Sequence, residues 1–125
     1  MILHQVAQHV EDLERATAFY TRLLGQPPIA TFDPPGLVFF RLADTRLLLE
    51  RGAPSALIYL RVDDVRDTVE QLRNEGVSIA TEPHVIFTDD TGLFGAPGLQ
   101  EWMAFITDSE GNLVGLASQN PPDSA

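Results

Sequence analysis

Ile2 to Val10 reads as a strand, a short apolar run that leads into the first helix. Its two faces are Leu3, Gln5, Ala7, His9 and Ile2, His4, Val6, Gln8, Val10. The period then changes. Leu13, Ala16, Phe19, Tyr20, Leu23 and Leu24 recur at helical spacing. Asp12 is placed to cap that helix, with Glu11 and Glu14 near its positive end. Gly25 stops it, and Pro27-Pro28 lie beyond. Short strands are predicted at Ile29–Phe32, Leu37–Leu42 and Arg46–Arg51, with turns at Asp33–Gly36 and Ala43–Thr45.

The pattern then repeats. Ala56–Val62 reads as a strand, Asp63 or Asp64 as a helix cap, and Val65, Val69 and Leu72 as an apolar helix face. Val10 maps onto Val62, Asp12 onto Asp64 and Leu13 onto Val65. Val77–Ala80, His84–Phe87, Glu101–Thr107 and Leu113–Ala117 are the strand candidates that follow. Thr88–Gly98 has no periodicity and reads as a long loop, either a mobile connection or a lid closed by Leu93 and Phe94. The expected organisation is one domain over residues 1–118, with module one at 1–51 and module two at 56–118. Residues 119–125 are expected to be a disordered tail.

Composition narrows the chemistry. There is no cysteine, so disulfides, thiolate nucleophiles and zinc-thiolate sites are excluded. There is no lysine either, which excludes a Schiff base. A net charge of -10 with scattered arginines argues against nucleic acid and anionic membranes as partners. No apolar run has the length of a membrane span and no leader pattern opens the chain, so a cytoplasmic location is expected. No nucleophile-elbow serine or phosphate-cradling glycine loop is present.

The helix opening D-L-x-x-A-x-x-F-Y-x-x-x-L-G is carried here by Asp12, Leu13, Ala16, Phe19, Tyr20, Leu24 and Gly25. The closing D-x-x-G-N-L-x-x-L is carried by Asp108, Gly111, Asn112, Leu113 and Leu116. Together they resemble the vicinal-oxygen-chelate superfamily of glyoxalases, bleomycin-resistance proteins and ring-cleaving dioxygenases. The resemblance implies an α+β fold in which two βαβββ modules form a curved eight-stranded sheet around a cleft. It also implies metal-ligand positions on the first, fourth, fifth and last strands. Here these fall on Gln5, Glu50, Leu57 and Gly115. Leucine and glycine offer no donor, so no metal or other cofactor is expected; if one is present, it is a divalent cation near Gln5 and Glu50.

Glu50 is then a candidate general base or ligand anchor, the alternative being an ion pair with Arg46, Arg51 or Arg61. The remaining candidate ligand contacts are Gln5, His9, Arg46, Leu48, Leu57, Tyr59, Trp102 and Met103. The resemblance makes the His9 position substrate-contacting. His9 otherwise reads as a rim histidine bonded to backbone, and Leu48 and Leu57 otherwise read as core. His4 is expected to face away from Gln5, and a His4/His84 metal pair is a weak signal. Alternation cannot say which of Trp102 and Met103 faces the cleft. The expected function is binding of a small, largely apolar organic molecule without metal, with or without catalysis. The alternatives are a metal-dependent lyase of the glyoxalase I type using Gln5 and Glu50, and a structural dimerisation module. A homodimer is expected, because open sheets leave edges to cover.

Overall fold

A computed structural model describes residues 1–123. It contains β1 (Gln5–His9), α1 (Leu13–Leu24), β2 (Ala30–Phe32), β3 (Leu37–Leu42), β4 (Thr45–Glu50), β5 (Ile58–Arg61), α2 (Val65–Asn74), β6 (Ser78–Asp89), β7 (Leu99–Thr107) and β8 (Leu113–Asn120). The sequence order is βαβββ twice. The strands do not join into one eight-stranded sheet. They form two four-stranded sheets of matching topology, β1-β4-β3-β2 and β5-β8-β7-β6. In each, the first strand pairs in parallel with the last, and the other pairs are antiparallel. No helix among the described residues is long and apolar enough to cross a membrane.

The chain divides into two compact units. The first is Met1–Ala56 together with Asp108–Asn112, and the second holds the remaining described residues. In the first unit Asp12 caps α1 by accepting from the Arg15 N–H at 3.0 Å, and Gly25 ends it in the left-handed region at φ 70°. The helix covers one face of its sheet. That face carries Gln8 from β1 with Val10 just beyond it, Leu47 and Leu49 from β4, and Val38 and Phe40 from β3, all buried with Ala16 and Tyr20 of α1. Gln8 is the polar member, and its amide closes a two-way bond with the Ala56 backbone, 2.8 Å each way.

The Asp108–Asn112 turn supplies the first unit with a carboxylate network. Asp108 accepts from the Tyr20 hydroxyl at 2.6 Å, the Glu110 and Asn112 N–H groups at 2.8 Å each, and the Asn112 amide at 2.9 Å. Burial, and after it the Asp108 carboxylate, holds the Tyr20 phenol protonated far above its ordinary range. Glu110 accepts from the Glu11 and Asp12 N–H groups at 2.9 and 2.8 Å and from both arms of the Arg15 guanidinium. Desolvation pushes its carboxyl up, but Arg15 and the N–H donors outweigh that and hold it at about 2.

In the second unit Asp64, not Asp63, caps α2, accepting from the Arg66 N–H at 2.9 Å. Ser118 of β8 takes the Val65 N–H at 3.0 Å. The two short strands expected at Val77–Ala80 and His84–Phe87 are one strand, β6, with register shifts between Ile79 and Phe87. Glu82-Pro83 looks like a break in sequence. On an edge strand, bulges absorb a residue that cannot donate to the ladder. β6 also takes in Thr88 and Asp89, so the long loop is shorter than expected. The buried Asp89 carboxylate accepts from the Gly92, Leu93 and Phe94 N–H groups at 3.0, 2.7 and 2.9 Å. Gln119 and Asn120, expected in the tail, belong to β8 instead. Of that stretch, residues 124 and 125 lie outside the described residues.

Candidate binding faces

Each sheet has a far face, turned away from the helix of its own unit. In the first unit the β1–β4 ladder is parallel, with Gln5 beside Arg46, Ala7 beside Leu48 and His9 beside Glu50. Residues side by side in register share a face. Five of the expected site residues therefore lie together: Gln5, His9, Arg46, Leu48 and Glu50. β3 extends the rows, placing Arg41 beside Arg46 and Phe39 beside Leu48, and β2 adds Ala30 beside Phe39. The far face thus has a cationic row, an apolar row and a row of His9 with Glu50. Arg41 and Phe39 were not among the sequence candidates, although alternation from Leu37 through Phe39 to Arg41 held the signal.

Arg46 is the most constrained member. Its Nε donates to Gln5 Oε1 at 3.1 Å, its Nη2 donates to His4 Nε2 at 2.8 Å, and its guanidinium carbon stands 5.6 Å from the Phe39 ring centre. Phe32 meets Phe39 edge to face at 6.0 Å. His4 was expected to face away from Gln5. Instead both reach the same guanidinium, because β1 begins at Gln5 and alternation does not extend back to His4.

His9 sets Nδ1 2.9 Å from the Ala53 carbonyl and Nε2 2.8 Å from Glu11 Oε1. Both ring nitrogens meet acceptors, which only the doubly protonated ring satisfies. The Glu11 carboxylate raises its pKa, with partial burial opposing and the Ala53 carbonyl assisting. Glu50 is half-buried beside it and belongs to none of the ion pairs among the described residues, so the expected pairing with Arg46, Arg51 or Arg61 is not formed.

The register also bears on the metal positions. Gln5 pairs with Arg46 at one end of the ladder, and Glu50 pairs with His9 at the other. At about 3.3 Å per residue the two are roughly 13 Å apart along the strands, with side chains standing off the sheet. The pairing of Tyr59 with Gly115 in the second unit corresponds to that of Ala7 with Leu48 in the first, so Leu48 rather than Glu50 is the repeat equivalent of Gly115. A Cβ on Gly115 would lie 2.4 Å from Tyr59 Cδ1, so the Tyr59 ring fills the place of any side chain there. Among the described residues no group of three or more His, Asp or Glu is arranged to hold a metal ion. His84, the weak partner suggested for His4, sets Nδ1 3.0 Å from the Glu82 carbonyl.

In the second unit Tyr59 meets Phe105 edge to face at 5.9 Å, and Met103 and Phe105 lie on the Tyr59 side of β7. Leu57 and Tyr59 are both about half exposed. Trp102 points the other way. It pairs with Ser118, whose hydroxyl accepts the Val65 N–H at the start of α2, and Arg66 of α2 stacks 4.2 Å over its indole. Trp102 therefore belongs to the helix side, and Met103 to the far face.

No curated protein matches this sequence. Solved structures share its fold. An antibiotic binding protein, TnmS3 from Streptomyces sp. CB03234, superposes with a TM-score of 0.66 at 24% identity, covering 98% of this chain and 97% of its own. Lactoylglutathione lyase from Agrobacterium tumefaciens gives 0.70 at 21%, covering 94% and 92%. A structure described as a conserved domain protein gives 0.71 at 19%, covering 96% and 100%. The family described as Glyoxalase/Bleomycin resistance protein/Dioxygenase superfamily matches residues 2–116. With the doubled βαβββ order and its two matched sheets, that match over nearly the whole chain makes this protein a member of the glyoxalase/bleomycin-resistance/dioxygenase superfamily.

Proposed function

We propose that this protein binds a small, largely apolar organic molecule on the far faces of its sheets, without the divalent metal that the metal-using members hold. The observation that carries the reading is the register of β1 against β4. It parts Gln5 from Glu50 and leaves the Gln5 amide oxygen bonded to a guanidinium. A dication requires several oxygens and is repelled by a fixed cation on one of them. On the first unit's far face Phe39 and Leu48 supply apolar wall, and Gln5, His9, Arg46 and Glu50 supply a few polar groups, the composition of a small-molecule site; the second unit's far face offers Tyr59 and Met103. Leu57 adds to the wall, and Glu50 acts as anchor or base. The antibiotic-binding neighbour agrees with this reading, and the lyase neighbour marks the competing one.

The test is metal analysis combined with mass spectrometry of molecules released when the natively purified protein is denatured. The reading expects substoichiometric metal and a released organic compound, with affinity for that compound weakened in Glu50→Gln. One equivalent of tightly held metal with turnover of a hemithioacetal would establish the lyase instead. The functional unit is a homodimer in this proposal. Ile86 and Phe87 on the edge strand β6, with Leu93 and Phe94 beyond it, are exposed apolar residues that a second copy would cover. Light scattering on the eluting protein should give twice the chain mass of 13.7 kDa, and the chain mass itself would refute it.

A further inference from the structure

We infer that the far face of the first sheet reads an anionic group on its ligand, through Arg41 and Arg46. The inference rests on the small-molecule reading above and sharpens it to a class: organic anions with an apolar or aromatic body.

The first ground is an uncompensated charge. Arg41 and Arg46 are direct cross-strand neighbours on β3 and β4. Like charges placed opposite each other in a sheet destabilise it. The chain carries 18 acidic residues, yet among the described residues neither arginine has a carboxylate within 4.0 Å. Arg22, Arg51 and Arg61 lack one as well, but only Arg41 and Arg46 are direct cross-strand neighbours. Two neighbouring arginines, neither bonded to a carboxylate of the described residues, form a place for an anion that is not part of the chain.

The second ground is pre-organisation. Arg46 is held by three neutral partners: the Gln5 amide oxygen, the His4 imidazole and the Phe39 ring. These fix the guanidinium without cancelling its charge. The bonds use Nε and one Nη2 hydrogen, so most of its five donors stay free for a planar, two-point contact with an oxyanion. Arg46 is half-buried, where a charged hydrogen bond is screened less than in open water.

The third ground is the next row. Phe39 and Leu48 lie one pleat along from the two arginines, with Ala7 and Ala30 at the ends of that row. A ligand whose oxyanion meets Arg46 lays its apolar body over Phe39 and Leu48. Its far end then reaches His9 and Glu50. The face orients its ligand, with the anion at the Arg46 end.

The probes are 8-anilinonaphthalene-1-sulfonate and N-phenyl-1-naphthylamine, which share a skeleton and differ in the sulfonate. Fluorescence titration of the full chain should show the sulfonate bound at least about tenfold more tightly, the size of one charge-assisted contact. Arg46→Gln and Arg41→Gln should each remove most of that preference, read as the ratio of the two probes' affinities. Arg46→Lys should keep part of it. Arg41 makes no side-chain hydrogen bond among the described residues, so Arg41→Gln serves as the test should Arg46→Gln disturb folding. Equal binding of the two probes, or a preference that survives both glutamine variants, overturns the inference and leaves the small-molecule reading intact. No binding of either probe overturns both.

Discussion

The two units share a strand order, a helix cap and a parallel first-to-last ladder, and they differ in almost everything chemical. The first closes its helix start with a carboxylate brought from far along the chain, Glu110, set in a network with Arg15. The second closes its own with the local pair Asp64 and Arg66 and one uncharged hydroxyl from β8, that of Ser118. The first has Ala7 beside Leu48; the second inverts the sizes, with Tyr59 beside Gly115. The first has His9 beside Glu50 and the second Arg61 beside Ala117. A repeated apolar pattern is enough to reproduce the topology. Single residues at matched positions then decide what each face can bind.

The largest expected effect separates the two hairpin turns. Asp108→Ala strips four donors of their acceptor in a buried network, and urea unfolding should show a loss of about 3 to 4 kcal/mol. Asp44→Ala, in the exposed turn between β3 and β4, should stay within about 0.5 kcal/mol. Similar losses at both would mean the 108–112 network contributes little.

Glu110→Gln comes next. The folded carboxyl titrates at about 2, below its ordinary 4.5, so its stabilisation is present above 4.5 and is lost as pH falls toward 2. Such a shift is worth roughly 2 to 3 kcal/mol near neutrality. The variant should lose about that at pH 7 and converge with the wild type near pH 2 in urea titrations at both values. Asp64→Asn should lose less. Its carboxyl is also lowered, chiefly by Arg66, but its side chain is partly exposed and its partner is local.

Gly115→Ala should cost about 1 to 3 kcal/mol by driving a Cβ into the Tyr59 ring. Tyr59→Ala should rescue most of it in a double-mutant cycle, and additive losses would show that the ring does not constrain Gly115. The smallest effect is at His9. Its pKa is raised above 6.5, so its contribution is complete below 6.5 and is lost as pH rises through the folded value. NMR titration should place the midpoint above 6.5 and find it lowered in Glu11→Gln; an unmoved midpoint would discount the Glu11 contact. The second unit offers no counterpart, because Arg61 stands in the matching place.

Alternation and helical periodicity made both helices, their aspartate caps, Gly25 and most strands legible, because each depends on neighbours within a few residues. The same parity grouped Gln5 with His9, and Arg46 and Leu48 with Glu50. It could not show that the two groups run in register as they do, with Gln5 and Glu50 at opposite ends. A ladder between β1 and β4 joins segments some forty residues apart, and nothing local sets its offset. The same limit hid the single bulged β6, the facing of Trp102 and the pairing of Arg41 with Arg46. The order of residues determined which side chains share a strand face. Only the folded sheets decided which faces lie side by side and which donors meet, since cross-strand distance is set by chain segments that are remote in sequence.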